Sequence, residues 1–585
     1  MLATFDISAK CTGIPRKYMM ATNLHEFYRR LIVAFCNNAL VSQPIPINTS
    51  FWNKGPYKMD KAEPKAAATQ RKLLADAEDA TAREHELGFL QAIKLYPRAV
   101  AWSVIISTAL VMDGYDTKLI GSLFAQPAFQ KAYGERQPNG SYQVTAPWQA
   151  GLNNGSNVGQ LVGLVLGGSL SEALGFRKTM IIGLILMPFL IFIPFFAPSI
   201  VVLQVGQVLL GVPIGMFQTV VTVYAVEVMP MCLRSYLTSY NNMCWLIGQF
   251  ISSGVLRGVL NMGPPWAYRV PFATQWVWPI PLIIGVYLAP ESPWWLVRQN
   301  RVDEAKASLR RLTSPQNVDF DVDKGVALMA LTTEHEREIN AGTKYTSCFQ
   351  GSDLRRTIIV IGCYCMQVLS GSTLRAYATY FFTQAGLPTD QAFNLSIATY
   401  GLSLVGAMLS WLLMPHVGRR TLFLWGLSGI AVVFMAVGGL GIPQAAAPRS
   451  GLAWAIGALL IISAFISNVT VGPVSYSLVS EIPSSLLRSK SVVIARFAYA
   501  CLNIVANVIA PYQLNPSAWG WGARAGFFWG GTCTLGLIFT YFCIPEPRNR
   551  TTAELDLLFE RKVPARKFSE TEVNISEVTA KTAVA

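Results

Sequence analysis

Twelve long apolar blocks constrain the fold of this chain more than any other feature of its sequence. A helix of about 20 residues crosses the hydrocarbon core of a bilayer, which is about 30 Å thick. Only 14% of the 585 residues are charged, whereas a soluble domain has roughly 25%. We therefore predict an all-α integral membrane protein with twelve transmembrane helices, and we exclude a soluble globular protein. The blocks lie at residues 98–124, 147–170, 179–197, 200–226, 236–260, 271–290, 357–383, 391–414, 420–441, 452–479, 490–514 and 523–545.

Basic residues predict the orientation of the chain. The formal net charge is +14, but no basic stripe interleaved with aromatic residues suggests a nucleic-acid partner. Loops rich in Lys and Arg alternate with poorer ones, which is the positive-inside pattern and places both termini in the cytoplasm. The basic loops and tail contain Arg177-Lys178, Arg234, Arg419-Arg420, Arg488, Lys490, Arg561-Lys562 and Arg566-Lys567.

The blocks divide the chain into segments. Residues 1–97 form a cytoplasmic arm, in which we expect 1–58 to be a gene-model extension and Met59 the natural start. Two six-helix halves follow, separated by a charged segment that is too polar to cross a membrane. We expect the first half at 98–290, the central cytoplasmic loop at 291–356, the second half at 357–545 and a cytoplasmic tail at 546–585.

Short charged motifs recur at a nearly constant distance along the chain. Glu227 precedes Arg234 by seven residues after the fourth block, and Glu481 precedes Arg488 by seven after the tenth. The two motifs lie 254 residues apart. Two further pairs repeat in the same order, namely Gly175-Phe-Arg-Lys with Gly418-Arg-Arg and Pro290-Glu291 with Pro545-Glu546. Three ordered pairs indicate duplicated six-helix halves, as transporters commonly have.

These repeated charges sit where the helices reach the cytoplasm. Acidic and basic side chains there can form ion pairs between helices that break when the two halves move. The alternative is that they are ordinary juxtamembrane charges that only set the topology. The candidate gating residues are Glu172, Arg177, Glu227, Arg234, Glu291, Arg419, Glu481 and Arg488.

Two acidic residues lie inside the first apolar block. An ionised side chain at mid-membrane costs at least about 2.5–3.5 kcal/mol, so each requires a reason. Asp113 and Asp116 are three residues apart and share one face of a helix. Two carboxylates so close resist joint ionisation, so one can hold or release a proton, as a proton-coupled carrier requires. The alternative for Asp113 is a solvated position in the outer headgroup zone.

Several motifs resemble the sugar porter family of the major facilitator superfamily. Gly168–Lys178 is similar to the loop signature of the superfamily, and Pro290–Leu296 resembles the PESPRxL motif of the family with Trp for Arg. The closest resemblance is to fungal α-glucoside (maltose):proton symporters. It is carried by Asp113-Gly-Tyr-Asp116, by Gly522–Gly531 and by Val563–Phe568. The resemblance implies plasma-membrane transport of an oligosaccharide with a proton, and no cofactor.

The resemblance also implies roles for individual residues. Asp116 matches the proton-coupling Asp of the family, and Arg496 matches an intramembrane Arg of the α-glucoside branch, where it would be a fixed countercharge. Where hexose symporters have an Arg in the fourth helix, this chain has Gln207, as the α-glucoside branch does. The residues implied to contact substrate are Gln249, Gln367, Tyr476 and Asn503.

Two departures from the branch keep alternatives open. Gln160 stands where an acid is usual, and Arg375 stands where an apolar residue is usual. Arg375 could supply part of the counter-ion environment of the Asp pair, or its side chain could extend to the outer end of its helix. Uncoupled facilitated diffusion, or carriage of a non-sugar small molecule, thus remain alternatives to α-glucoside symport. We find no convincing nucleophile, metal-ligand cluster or phosphate loop, so we expect neither an enzyme nor a metal site.

Overall fold

The computed structural model describes residues 93–571, apart from 138–139, 230, 314–320, 343–344, 448, 485–486, 549, 551 and 569. The predictions for residues 1–58 and for Met59 lie outside the described residues.

The described chain contains twelve helical spans, in agreement with the twelve predicted blocks, and several shorter elements. Span 1 consists of Pro97–Ser107 and Ala109–Leu123, and spans 2 and 3 are Ala146–Leu174 and Phe176–Phe195. Spans 4 and 5 are Ile200–Val228 and Met231–Val259. Span 6 consists of Trp266–Ala273, a 3₁₀ turn (Thr274–Val277) and Pro279–Leu288. A helix (Pro127–Tyr133) and two antiparallel strands, β1 (Glu135–Arg136) and β2 (Tyr142–Gln143), connect spans 1 and 2.

The second six spans begin after a helical connection made of Pro293–Arg298, Val302–Leu312, Val322–Gly342 and a 3₁₀ turn at Tyr345–Phe349. Span 7 begins at Gly351, within the segment predicted as loop. Span 7 consists of Gly351–Gln367, a π-turn (Val368–Ser372), Thr373–Ala376 and Ala378–Gln384. Spans 8 and 9 are Thr389–Val417 and Arg419–Ala446, and span 10 consists of Ser450–Val469 and Val471–Glu481. Span 11 is Arg488–Leu514, and span 12 consists of Gly522–Arg524 and Ala525–Cys543. Thr552–Glu560 and a 3₁₀ turn at Ala565–Lys567 follow.

Length and hydropathy alone identify nine helices of the described chain as able to cross a membrane. Spans 1, 2 and 5 are the three additional ones. Span 1 is divided at Thr108, and span 2 carries polar residues such as Gln149, Asn153 and Asn157. Spans that line a polar interior must carry polar side chains, so a hydropathy threshold underestimates them.

The bundle has two ends, which we name by the chain. The terminal side is where span 1 begins and span 12 ends, and the distal side is where span 1 ends and span 2 begins. Large apolar side chains point outward along the spans, including Phe189, Leu412, Trp425 and Val432, which are 67–71% exposed. Such side chains are stable on the surface only when lipid covers them.

Helices within the first half pack at backbone contact. A Cβ atom added to Gly159 in span 2 would lie 2.0 Å from the carbonyl oxygen of Val208 in span 4. A Cβ on Gly114 in span 1 would lie 2.0 Å from the carbonyl oxygen of Trp245 in span 5. Small residues allow this close approach, which is the usual source of helix association in membranes.

Spans 7 and 10 are interrupted in the second half. Gly371 has φ of 78° inside the π-turn of span 7, and Thr470 separates the two helices of span 10 with φ of −120° and ψ of −82°. Interrupted helices at membrane depth are tolerated only where protein or water satisfies the freed backbone groups. The two breaks contact each other through Gln367 in span 7, whose Nε2 donates to the carbonyl oxygen of Gly472 at 3.3 Å.

Candidate functional site

The Asp pair of span 1 is buried among amides and hydroxyls. Asp113 and Asp116 are 5% and 1% exposed. The Asp113 carboxylate accepts from Gln218 Nε2 at 2.7 Å and from Gln160 Nε2 at 3.4 Å. Asp113 therefore does not lie solvated in a headgroup zone, and the pair is held at the centre of the first half.

Asp116 has a separate set of neutral partners. Gln275 Nε2 of span 6 donates to its Oδ1 at 3.1 Å, and Ser156 Oγ of span 2 donates to its Oδ2 at 3.3 Å. Gln160 joins the two carboxylates, because its Nε2 also lies 3.4 Å from Ser156 Oγ. Burial disfavours charge on a carboxylate, whereas donated hydrogen bonds favour it. Opposed effects of this kind make proton occupancy sensitive to hydration.

Arg496 of span 11 lies among aromatic rings in the second half. Its guanidinium is 5.1, 5.8 and 5.9 Å from the ring centroids of Tyr364, Tyr499 and Tyr476. These distances fall within the range of cation–π attraction. The residue stays solvent-accessible although it is surrounded by spans 7, 10 and 11, so it borders a water-accessible space inside the bundle.

The acid cluster and the arginine cluster face each other across the two halves. Ser156 and Gln160 of span 2 contact the acids. Asn157 of the same span accepts from Asn503 of span 11, the span that carries Arg496, at 3.3 Å. The two spans meet at the interface between the halves, so the distance between the opposite charges depends on how the halves are arranged.

The predicted substrate residues divide into two groups. Gln249 of span 5 is buried, and its side-chain amide makes no hydrogen bond to any described residue. Tyr476 packs edge-on against Tyr364 with ring centroids 5.9 Å apart. Gln367 is held by the break in span 10, as given above, and Asn503 Nδ2 donates to Asn157 Oδ1 at 3.3 Å. Gln249 and Tyr476 therefore have polar atoms that are free of the contacts restraining Gln367 and Asn503.

Arg375 takes neither of the two positions considered from sequence. Its Nη1 donates to the carbonyl oxygen of Ser370 at 2.6 Å, and its Nη2 donates to Ser467 Oγ at 2.9 Å. Ser370 lies in the π-turn of span 7, and Ser467 immediately precedes the break of span 10. Arg375 therefore fastens the two broken helices together, and it neither reaches the outer end of its helix nor contacts the Asp pair.

Polar contacts join the two halves on the distal side, and we call this set the distal seam. Lys118 is fully buried and donates to Thr379 Oγ1 at 3.1 Å, with its Nζ 4.8 Å from the Tyr400 ring centroid. Arg257 at the rim pairs with Asp390 at 3.2 Å. Further contacts join Ser122 with Thr379, Gln143 with Tyr380, Asn153 with Tyr377, Asn154 with Ile504, Asn157 with Asn503, Val144 with Asn515, and Ser253 with Ser396. The distal side is therefore closed.

Two candidate gating acids pair with arginines, one from the segment that follows the first half and one from within the second half. Glu227 pairs with Arg298 at 2.6 Å and also accepts from Ser292 Oγ at a short distance. Glu481 pairs with Arg419 at 3.1 Å. Arg488 is exposed, and the side chain of Arg234 lies outside the described residues.

Within the described part of the chain, the Glu291 carboxylate accepts hydrogen bonds from backbone N–H groups and not from a basic side chain. Its Oε1 accepts from the Phe176 N–H at 3.0 Å, and its carboxylate also accepts from the Arg177 N–H. Burial raises the pKa of Glu291, which these hydrogen bonds partly oppose.

Arg177 lies over the Tyr287 ring at 5.0 Å. The Glu172 side chain is exposed, and its backbone carbonyl accepts from Trp295 Nε1 at 2.9 Å.

Sequence reasoning missed several residues of this site. Lys118 is a basic residue well inside the first block, and counting charges within blocks could have found it. Gln218 and Gln275 are isolated amides in apolar spans, which is a signal of the same kind. Tyr364 carries no such signal, because tyrosine is common in spans and its contact with Arg496 requires spans 7 and 11 to pack. Tyr499 lies three residues after Arg496 on the same helix, so helical spacing could have found it.

Among the described residues, no three His, Cys, Asp or Glu side chains gather closely enough to hold a metal ion.

Known proteins are similar to this chain in sequence. The family described as "Sugar (and other) transporter" matches residues 102–559. The general alpha-glucoside permease of Saccharomyces cerevisiae is 41% identical over 504 residues, covering 85% of this chain and 81% of that protein. A maltose permease of the same yeast is 40% identical over 511 residues, covering 86% and 82%.

Solved structures agree on the fold. The inward-open conformation of the xylose transporter XylE from E. coli superposes with a TM-score of 0.63 at 20% identity, covering 79% of this chain and 99% of that one. XylE bound to 6-bromo-6-deoxy-D-glucose gives a TM-score of 0.62 at 20% identity, with the same coverage. This chain therefore belongs to the sugar transporter family and has the twelve-helix major facilitator fold.

Proposed function

We propose that this transporter carries an α-glucoside such as maltose together with a proton across the plasma membrane by alternating access. The observation that carries the proposal is the buried Asp113–Asp116 pair with neutral hydrogen-bond partners, next to the contact between span 2 and the span that carries Arg496. The relatives named above as alpha-glucoside and maltose permeases support the substrate class.

We propose that the terminal side is cytoplasmic. The basic loops and tail lie at this side, which agrees with the positive-inside rule. The closed distal seam then corresponds to a transporter closed toward the outside. Uptake requires the seam to open, so its polar contacts must exchange protein partners for water in each cycle.

In this proposal Asp116 takes the proton from outside. When the seam opens, water reaches the carboxylate, and closure then buries it with Ser156 and Gln275 as its partners. A neutral carboxyl is easier to bury than an ionised one, so protonation favours closure around the sugar. Asp113 and Arg496 form the charge pair that responds to the arrangement of the halves, with Arg496 always charged.

The sugar would lie between the two clusters. Gln249 offers an amide that has no side-chain hydrogen bond to the described residues, and Tyr476 offers a flat ring, which suit the hydroxyls and the apolar face of a glucoside. Gln367 and Asn503 would exchange their contacts with Gly472 and Asn157 for contacts with substrate. We propose the eight candidate gating residues as a terminal-side network, in which Glu227–Arg298 and Glu481–Arg419 hold neighbouring helices together.

The test is uptake of labelled maltose by a transporter-deficient yeast that expresses this chain, at acidic and neutral outside pH. Concentrative uptake that rises with acidity and collapses with a protonophore is expected. Uptake without accumulation would instead identify an uncoupled facilitator, in which Gln160 replaces a needed acid. No uptake by protein confirmed at the cell surface would favour a non-sugar substrate.

A further inference from the structure

An open cavity of about 460 Å³ lies on the terminal side of the second half. It is bounded by the loop between spans 8 and 9 and by the segment that follows span 12. Three arginines line it, together with one carboxylate and three uncharged residues. The lining consists of Arg420, Arg548, Arg550, Glu546, Val417, Gly418 and Thr421.

The single carboxylate of the lining is already used by the backbone. Glu546 accepts from the backbone N–H of Arg419 at 3.0 Å, of Arg420 at 2.9 Å and of Arg548 at 3.2 Å. The cavity therefore keeps a positive balance of charge, and its only acid is directed at peptide groups.

The guanidinium groups are oriented by neutral carbonyls and keep unused donors. Arg420 donates to the carbonyl oxygen of Tyr541 at 3.0 Å, and Arg548 donates to that of His416 at 2.6 Å. A guanidinium group has five N–H donors, and each of these contacts uses one of them, so further donors remain on both side chains. Arg550 donates to the carbonyl oxygen of Thr571 at 2.7 Å and lies 3.9 Å from Glu554. Fixed guanidinium groups with spare donors suit an anion with several oxygens.

The internal repeat shows that the cavity is not a by-product of the fold. The first half has the same framework, because Glu291 accepts from the N–H groups after Gly175 as Glu546 does after Gly418. Pro293 and Trp295 occupy the repeat positions of Arg548 and Arg550. Trp295 is buried, and its ring lies 3.3 Å from where a Cβ on Gly175 would be. The first half fills this position with an indole, whereas the second leaves it open and basic.

The cavity lies next to the membrane surface. Tyr541 and Phe542, in the last turn of span 12, are 44% and 56% exposed. Arg566 of the tail lies over both rings at 4.6 and 4.7 Å. Exposed aromatic residues beside arginine are typical of the headgroup level of a bilayer.

We propose that the Arg420–Arg548–Arg550 cavity binds a phosphate group, and that the adjoining membrane surface favours the headgroup of an anionic lipid as its source. Phosphate offers oxygens for the unused donors of fixed guanidinium groups and matches their planar fork. A lipid would bring this phosphate to the level of Tyr541 and Phe542.

The test measures fluorescence anisotropy of a labelled phosphatidylinositol 4-phosphate on the purified full chain in neutral detergent. The R420Q/R548Q variant should bind at least about tenfold more weakly, since each lost hydrogen bond to a charged group has about that effect. The R561Q/K562Q variant removes the same charge from an exposed turn of the tail and should bind like the parent. Equal loss in both variants, or no binding by the parent, would overturn the site.

Competition separates the two sources of phosphate. Soluble inositol 1,4-bisphosphate that displaces the lipid as well as unlabelled lipid does would identify a free phosphate compound as the ligand. Displacement by unlabelled lipid alone supports the lipid. A T421E variant is the second test if R420Q/R548Q unfolds in neutral detergent, because it adds an acid to the cavity and removes no arginine contact. Undiminished binding by T421E would overturn the proposal.

Discussion

The two halves of this transporter share a framework but carry different charged side chains inside the membrane. At the terminal side each half has a glutamate that accepts from the N–H groups at the start of its third span, after a glycine with φ near 90°. Within the membrane the first half buries the acids Asp113 and Asp116, whereas the second holds Arg375 and Arg496. What is repeated maintains the architecture, and what is not repeated carries the chemistry.

The largest expected effect comes from removing Asp116, one of the two buried acids of the first half. Asp116→Asn keeps the shape and loses the titratable proton, so accumulation should fall to about the equilibrium level while exchange continues. One pH unit corresponds to about 1.36 kcal/mol, so one coupled proton supports roughly tenfold accumulation per unit. The measurement is the accumulation ratio of labelled maltose at acidic pH.

Asp303→Asn is the matched control, because Asp303 is exposed in the helix that follows span 6. It should leave the ratio unchanged. Unchanged accumulation in Asp116→Asn would remove Asp116 from the coupling step.

The second test changes the cation of the other half. Arg496→Met removes the charge that we propose as the partner of Asp113, together with all three cation–π contacts, each worth about 0.5–2 kcal/mol. We expect the maltose uptake rate to fall about tenfold or more, and Arg496→Lys to fall less because the charge remains. Initial rates over a pH series are the measurement. If Arg496→Lys transports as slowly as Arg496→Met, Arg496 contributes by stacking on the rings and not by its charge. A normal uptake rate in Arg496→Met would contradict both contributions.

The third test concerns the seam between the halves. Lys118→Met removes a buried ammonium that donates to Thr379, and a hydrogen bond to a charged group is worth about 1.5–3 kcal/mol. We expect the distal side to open about tenfold more often. The measurement is the labelling rate of a Thr373→Cys substitution, at a buried position of span 7 outside the seam, by a membrane-impermeant thiol reagent. Lys131→Met, at an exposed distal lysine, is the control, and an equal rate in both backgrounds would contradict a closing role for Lys118.

The fourth test asks whether the repeated framework is equally important in both halves. Gly175 and Gly418 have φ of 93° and 91°, and an added Cβ would lie 2.6 and 2.7 Å from the carboxylates of Glu291 and Glu546. Alanine at either position should cost about 1–2 kcal/mol from backbone strain alone. Thermal unfolding of the purified variants is the measurement, with Gly168→Ala as a control in open space. A large loss from only one of them would show that the two halves do not depend equally on this turn.

These contrasts indicate what the sequence could and could not predict. The twelve spans were predicted because helix length and hydropathy are local properties, and the repeated charges because they recur in order along the chain. The contact of Glu227 with Arg298 was not, since Arg298 comes from the segment after span 6. Likewise Tyr364 and Tyr476 reach Arg496 only once spans 7, 10 and 11 have packed.

Arg375 shows a second limit of sequence reasoning. An arginine inside a span suggests either a countercharge or a side chain that reaches toward the headgroups. The structure shows a third position, in which Arg375 donates to Ser370 and Ser467. This position depends on the break in span 7, which exposes the carbonyl of Ser370 to a donor from the same helix. Gly371 marks such a break only weakly, because glycine is common in membrane helices.

The smallest expected effect comes from the exposed end of the seam. Arg257 and Asp390 pair at 3.2 Å with side chains 31% and 56% exposed, and pairs in this setting contribute about 0.2–1 kcal/mol. Asp390→Asn should therefore raise the labelling rate of the same cysteine less than about fivefold, and added salt should diminish the difference from the parent. If this exposed pair had an effect as large as that of Lys118, the closure of the distal side would be set by its rim. We expect instead that it is set by the buried contacts, because burial removes the water that competes for the same donors.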